Sequence, residues 1–313
     1  MVDMEKVEEA FNLVLENTQT LETDLHTHFY DALIEQNVAY VEEKSPSEIV
    51  NENNKKLHDL NLTQEEWQKV YQFVLIKGSQ EAKMQANHQF TPDSIAYIIN
   101  FIIDTMIKKE EISMVELGSG MGNLAASIIA ISDKKIDYTG FEVDDLLIDL
   151  SASIADVMQL NNKYIQLDAV RPQIIEPADV VLSDLPIGYY PDDEVASRFK
   201  VASKNKDEHT YAHHLLMEQG LKYLKDDGIA IFLAPVNLFN SSQAPELKSW
   251  LKDYAHLAAV IGLPETMFKG NPKALFVLQK KNSNKPTFVY NITSLTSAEV
   301  VHQFMQEFKE SMV

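Results

Sequence analysis

One run constrains this chain more than any other: Val115-Glu116-Leu117-Gly118-Ser119-Gly120-Met121-Gly122, followed downstream by Gly140-Phe141-Glu142-Val143-Asp144. An apolar strand leads into alternating glycines. A second strand then ends in an acid about 20 residues past the last glycine, the spacing of a nucleotide-binding α/β unit. Glycine lets the backbone turn sharply and approach a ligand with no Cβ in the way. A carboxylate at the tip of the second strand can take both hydroxyls of a ribose. The pattern therefore predicts a nucleoside-bearing cofactor.

The residues around the glycines decide which one. A dinucleotide fingerprint reads G-x-G-x-x-G and presents a helix N-terminus to a pyrophosphate. Here Gly118, Gly120 and Gly122 read G-x-G-x-G, and Glu116 stands two residues before the first. An acid there suits the amino group of a methionyl moiety and is unhelpful beside a pyrophosphate. S-adenosylmethionine carries no phosphate, so the loop needs closeness rather than anion affinity. Glu142 is read as the ribose acceptor. Asp168, closing the third strand, is read as acceptor for the exocyclic amine of the cofactor's adenine, or as a strand-end turn residue. Met121 and Phe141 are adenine walls or ordinary core, and Asp144 is a helix cap rather than a ligand.

The glycine loop sits inside a longer α/β pattern. Residues 1–86 carry apolar residues at helical spacing (Val7, Phe11, Val14; Trp67, Val70, Tyr71, Val74) and read as a small helical domain. Thr63 and Glu66 form a capping box before the last of those helices. Residues 87–313 alternate strands and helices. Thr91 and Pro92 are read as N-cap and first residue of a helix. Continuous apolar strands such as Ile229-Ala230-Ile231-Phe232-Leu233 imply a sheet covered on both faces. The expected fold is a doubly wound, seven-stranded, Rossmann-like sheet of the α/β class, with Thr287–Val313 supplying one further strand and a closing helix.

Past the fourth strand lies Ser183-Asp184-Leu185-Pro186-Ile187-Gly188-Tyr189-Tyr190-Pro191, beyond the carboxyl end where open α/β sheets place their ligands. At this position the chain resembles the class I amino-methyltransferases of the N6-adenine DNA methylase type, most closely the modification subunits of type I restriction systems, in the form of a short Gram-positive homologue. Those enzymes carry N-P-P-F/Y or D-P-P-Y here. The resemblance extends over Gln89-Phe90-Thr91-Pro92, which closes over the methionine end in that family, and over Gln219–Gly228, Leu263–Phe268 and Ala274–Lys280. It implies a methyltransferase using S-adenosylmethionine. Asp184 and the Pro186 region would receive the target amine, a side-chain oxygen and a backbone carbonyl accepting its two N–H bonds, and an aromatic ring would stack on an extruded base. This sequence departs from the motif: Asp184 replaces Asn, Leu185 the first Pro, and Ile187 the aromatic residue. Stacking would then fall to Tyr189 or Tyr190, at about 1–3 kcal/mol per base.

Composition limits the partners. The 313 residues hold 27 Lys and Arg against 47 Asp and Glu, a net charge of −20. DNA binders gain affinity by neutralising phosphates, so DNA as substrate requires clustered bases or a partner subunit. The best basic clusters are Lys269, Lys273 and Lys280–Lys281, with Lys200, Lys204 and Lys206. A methyltransferase for RNA, protein or another amine is the alternative, and a cofactor-binding module with lost catalysis, acting through a partner, is the other. A homodimer is compatible with either. No cysteine is present, which excludes disulfides and thiolate chemistry. His209 and His213 are spaced to share a helix face, but no Glu or Cys completes a metal site, and Ser183 lacks the partners of a nucleophile. No leader or membrane-spanning run is visible, so the expected compartment is the cytoplasm.

Overall fold

The computed structural model describes residues 2–81, 90–205, 207–268, 271–280 and 285–312. Four helices come first: α1 (Met4–Leu25), α2 (Phe29–Val41), α3 (Glu48–Asp59) and α4 (Gln64–Glu81). Helix and strand then alternate through α5 (Asp93–Met106), β1 (Glu111–Leu117), α6 (Asn123–Ile131), β2 (Lys135–Glu142), α7 (Asp145–Val157), β3 (Lys163–Gln166) and β4 (Ala178–Asp184). The C-terminal part holds α8 (Asp193–Ala196), α9 (Ala212–Tyr223), β5 (Leu224–Pro235), α10 (Ala244–Tyr254), β6 (Ala255–Gly262), β7 (Lys273–Lys280), β8 (Phe288–Asn291) and α11 (Ala298–Met312).

The chain forms two compact units. The first comprises Met1–Tyr97, Ser119–Asp133 and Tyr138–Gln166. Its opening helices form because apolar residues recur on one face and their ends are capped. Asp3 accepts from the N–H groups of Glu5 and Lys6 at the start of α1. Before α4, Thr63 Oγ1 accepts from Glu66 N (3.3 Å) while Glu66 Oε2 accepts from Thr63 N (2.9 Å), the reciprocal capping box expected there. The stripe of Val7, Ala10 and Val14 packs with Leu33, Trp67, Val70 and Val74 into a core that continues through Met121, Leu147, Leu150 and Ile154. Buried amides add specificity: Tyr71 Oη donates to Asn37 Oδ1 (2.8 Å), and Asn37 Nδ2 donates to Ser153 Oγ (3.0 Å), joining α4, α2 and α7. This unit therefore extends beyond residue 86, because the N-terminal helices share one apolar core with α6 and α7. Within it β2 and β3 pair in parallel.

The second unit comprises Ile98–Gly118, Lys134–Asp137 and Leu167–Val313. Its strands run in the order β1-β4-β5-β7-β6-β8. β1/β4, β4/β5 and β6/β8 are parallel, and β7 runs antiparallel to both β5 and β6. Among the described residues there are eight strands, the expected seven and the further C-terminal one: β8 adds to the free edge of β6, pairing Ala259 with Phe288 and Gly262 with Asn291. α11 closes that end through Phe304 and Phe308, both fully buried, against Phe288, Tyr290 and Phe101. At the start of β4, burial alone would raise the Asp179 pKa. Hydrogen bonds from Lys109 (2.7 Å), Lys225 (2.8 Å) and Ser113 outweigh it and hold the carboxyl well below the usual range.

Candidate active site

β1 delivers the chain into a loop in which Gly118, Gly120 and Gly122 have φ of 71°, 54° and 73°. Side-chain-bearing residues rarely adopt these values. Among the described residues, a Cβ added at Gly118 or Gly120 would meet nothing within 4 Å, whereas at Gly122 it would come within 2.8 Å of Ser151 Cβ and 3.0 Å of Tyr164 Oη. The first two glycines thus leave a cradle of open space, and the third permits packing.

In the first unit the loop and the acid of β2 are brought together. Glu142 Oε2 accepts from Gly120 N (2.9 Å), Oε1 accepts from Val143 N (2.7 Å) and Asp144 N (3.1 Å), and Phe141 O accepts from Ser119 N (2.9 Å). Ser119 Oγ, also in the loop, is buried and has no hydrogen-bond partner among the described residues. Buried hydroxyls are nearly always paired, so this atom and the open cradle fit a polar ligand approaching the loop. Asp144 caps α7 through Leu147 N (3.2 Å), as expected. Met121 and Phe141 are buried at 3% and 0% exposure, and the Met121 side chain packs in the apolar core. α5 begins at Asp93, so Thr91 and Pro92 precede the helix instead of opening it. Thr91 is anchored otherwise: its carbonyl accepts from Asn123 Nδ2 (2.8 Å), at the first residue after Gly122. Gln89 lies outside the described residues.

The second unit holds the remaining predicted residues. Glu116 is buried in β1 in register with Leu182 of β4. Asp168, just past β3, accepts from Val170 N through Oδ1 (3.0 Å) and from Tyr190 Oη through Oδ2 (2.5 Å). Arg171 Nε lies 3.5 Å from the same Oδ2, and its Nη2 bonds Asp192 at 2.7 Å.

Asp184 is the last residue of β4, and its Oδ1 lies 2.6 Å from Lys273 Nζ, with side chains 21% and 15% exposed. Ser183 Oγ is buried and donates to Leu117 O (2.5 Å), so it is a backbone staple. Leu185 is buried and its N–H bonds Leu233 O (3.0 Å). Ile187 and Tyr189 are exposed, at 42% and 54%. The two tyrosines then diverge. Tyr189 stacks on Tyr211 (4.9 Å, 16°), whereas Tyr190 is 6% exposed with its hydroxyl committed to Asp168. The Tyr189 ring is therefore exposed and the Tyr190 ring is buried.

The helical pairing of His209 with His213 is overturned. α9 begins at Ala212, because Tyr211 is extended and Ala212 N bonds Gly188 O (2.9 Å), leaving His209 outside the helix beside Asp193 (2.9 Å). His213 and His214 are buried, and burial lowers their pKa values to about 4 and about 3. Among the described residues no group of three or more His, Cys, Asp or Glu is placed to hold a metal.

Sequence reasoning missed the roles of Lys273, Arg171 and Ser119. Lys273 registered only as part of a basic cluster, yet it faces Asp184, as Lys280 faces Asp226 (2.9 Å). Lys206, Lys269 and Lys281 lie outside the described residues.

The sequence profile of the N-6 DNA methylase family matches residues 63–311, starting at the capping box of α4. YtxK of Bacillus subtilis (strain 168) is 30% identical over 318 residues, 96% of each chain. A solved structure from Listeria monocytogenes, a candidate class I S-adenosylmethionine-dependent methyltransferase, is 30% identical. It superposes with a TM-score of 0.89 over 99% of this chain and 100% of that one. The type I restriction-modification methyltransferase subunit of Streptococcus thermophilus shares the fold at 17% identity, with a TM-score of 0.69 over 96% of this chain and 74% of its own. A glycine cradle, an acid closing β2 and an acid closing β4, in a chain matched over most of its length, lead to one conclusion: the protein belongs to the N-6 DNA methylase family.

Proposed function

We propose that this methyltransferase acts on the exocyclic amine of adenine in DNA. As a member of its family it uses S-adenosylmethionine, which supplies an electrophilic methyl group on a sulfonium. The observation that carries the acceptor reading is Asp184 at the carboxyl end of β4 with Pro186 two residues on, where α/β sheets place their ligands. The exocyclic amine of adenine is a poor nucleophile because its lone pair is delocalised into the ring. Asp184 Oδ and the Pro186 carbonyl would accept its two N–H bonds, let the nitrogen pyramidalise and aim it. Positioning of this kind supplies most of the rate in a direct displacement. Tyr189 offers one ring face to the base, its other face being held by Tyr211.

On the donor side, Glu116 would hold the methionyl amine, Gly118, Gly120 and Gly122 would allow close approach, and Thr91-Pro92 would cover the methionine end. Glu142 would take the ribose. Three backbone N–H groups already use most of its roughly four lone-pair sites, so a ribose hydroxyl takes the remainder or displaces one of them. Asp168 would accept from the adenine amine. Cytoplasmic location, a DNA-binding partner subunit and a homodimer belong to the same reading.

A different amine, on RNA, protein or a small molecule, is favoured by one observation, the net charge of −20. Incubation with methyl-tritiated S-adenosylmethionine and, separately, duplex DNA, RNA or cell-extract protein tests the two. The expected result is label on DNA adenine, lost at least about 100-fold in Asp184→Ala, the scale of a group acting at the reacting atom. Label confined to RNA or protein would replace DNA as acceptor. Cofactor binding with no labelled acceptor in any fraction would point to a cofactor-binding module.

A further inference from the structure

Six residues beyond Asp184, the acceptor loop folds back onto the carboxylate assigned to the cofactor's adenine. Tyr190 is the residue that does so. Its ring is 6% exposed, its hydroxyl donates to Asp168 Oδ2 at 2.5 Å, and its N–H donates to Thr210 O at 2.8 Å. Burial first, and the bond to Asp168 second, raise the pKa of the phenol, so it stays a donor throughout the neutral range. Asp168 is held from two further sides, by Val170 N on Oδ1 and by the Arg171 guanidinium, which Asp192 orients in turn. The Asp168 side chain remains 30% exposed. A free aspartate at a strand end would sample several rotamers. This one is confined to a single orientation and keeps acceptor capacity toward solvent.

We propose that Tyr190 is a positioning residue for cofactor recognition: its hydroxyl fixes the Asp168 carboxylate to accept from the exocyclic amine of adenine, and so ties the acceptor loop to adenine recognition. The proposal rests on Asp168 being the adenine acceptor. Its consequence is selectivity for the amine. A cofactor product whose adenine is replaced by hypoxanthine presents a carbonyl oxygen at that place. The fixed carboxylate repels it, whereas a carboxylate free to turn away does not. A site built to bond a particular N–H group rejects analogues that lack it.

Calorimetric titration of the full chain with S-adenosylhomocysteine and with S-inosylhomocysteine tests this without any acceptor substrate. Wild type is expected to prefer S-adenosylhomocysteine by about 10-fold or more, the range of one hydrogen bond to a charged group. In Tyr190→Phe, with thermal melting confirming the fold, that preference should fall to about twofold. The loss should come from weaker S-adenosylhomocysteine binding together with tighter S-inosylhomocysteine binding, as the freed carboxylate turns away from the carbonyl. Asp168→Asn should lose the preference as well. An unchanged ratio in Tyr190→Phe, or equal weakening of both ligands, would make Tyr190 a packing residue and overturn the proposal. Equal affinities in wild type would remove the Asp168 assignment and the proposal with it. Failure of wild type to bind either ligand would instead refute the cofactor reading itself.

Discussion

Gly120 and Gly122 share a left-handed backbone but answer to different demands. Alanine at 120 meets only the conformational penalty of positive φ, about 1 kcal/mol, because the space beside it is open. Alanine at 122 adds overpacking against Ser151 and Tyr164, for a total of about 2–4 kcal/mol. Urea denaturation should therefore separate the two variants by at least about 1 kcal/mol, and calorimetry should show Gly120→Ala binding S-adenosylmethionine more weakly. His213 and His214 make a second residue-scale prediction. Their folded pKa values, about 4 and about 3, lie below the ordinary 6.5. Above pH 6.5 both are neutral in either state and their contribution to stability is complete. As pH falls below 6.5 the unfolded chain takes up protons that the folded chain refuses. Stability then drops by about 1.4 kcal/mol per pH unit per histidine until the folded pKa values are reached. Denaturation curves between pH 7 and 5 should show this slope, and His214→Phe should flatten it. Neither glycine role was separable in the sequence, where both read simply as loop residues, because only the neighbours Ser151 and Tyr164 distinguish them.

Elements whose signals are local were legible, and elements set by distant partners were not. The capping box of Thr63 and Glu66 lies within one turn and formed as read. It does more than cap α4, since Glu66 Oε1 also accepts from Asp3 N (3.0 Å) at the start of α1. Glu66→Ala should lose about 2 kcal/mol, more than an ordinary cap, because two helix starts lose an acceptor. Glu66→Gln, which keeps one acceptor oxygen, should lose less by the same denaturation assay. Burial pushes the Glu66 carboxyl up, but N–H bonds from Thr63 and Asp3 bring it below its ordinary value of 4.5. Its contribution is therefore present above pH 4.5 and fades as pH falls through the lowered value. The start of α9 shows the opposite case. His209 and His213 have helical spacing, yet Tyr211 is held extended by its bridge to Tyr189 in the preceding loop, and the helix waits until Ala212. β8 was readable as a strand, but its place at the edge beside β6 depends on a pairing no local pattern encodes.

For the molecule as a whole, charge sets the terms of any nucleic-acid encounter. A net charge of −20 opposes counterion-driven binding, so the isolated chain should bind a labelled random duplex more weakly than about 10⁻⁴ M at physiological salt. Fluorescence anisotropy checks this; micromolar binding would mean that its lysines are concentrated on one face. Lys273 and Lys280 do not serve that purpose, because each faces an aspartate. The sequence alone determined the α/β class, the glycine loop with its acid on β2, and hence the cofactor. Those features are written in contiguous residues and fixed spacings, which backbone geometry translates directly. The tertiary structure alone decided how far the helical unit extends, which tyrosine is exposed, and what Asp168 and Asp184 touch. Tyr190 reaches Asp168 across 22 positions and Lys273 reaches Asp184 across 89. Contacts of that separation arise from how strands and loops are brought side by side, and no periodicity in the chain records them.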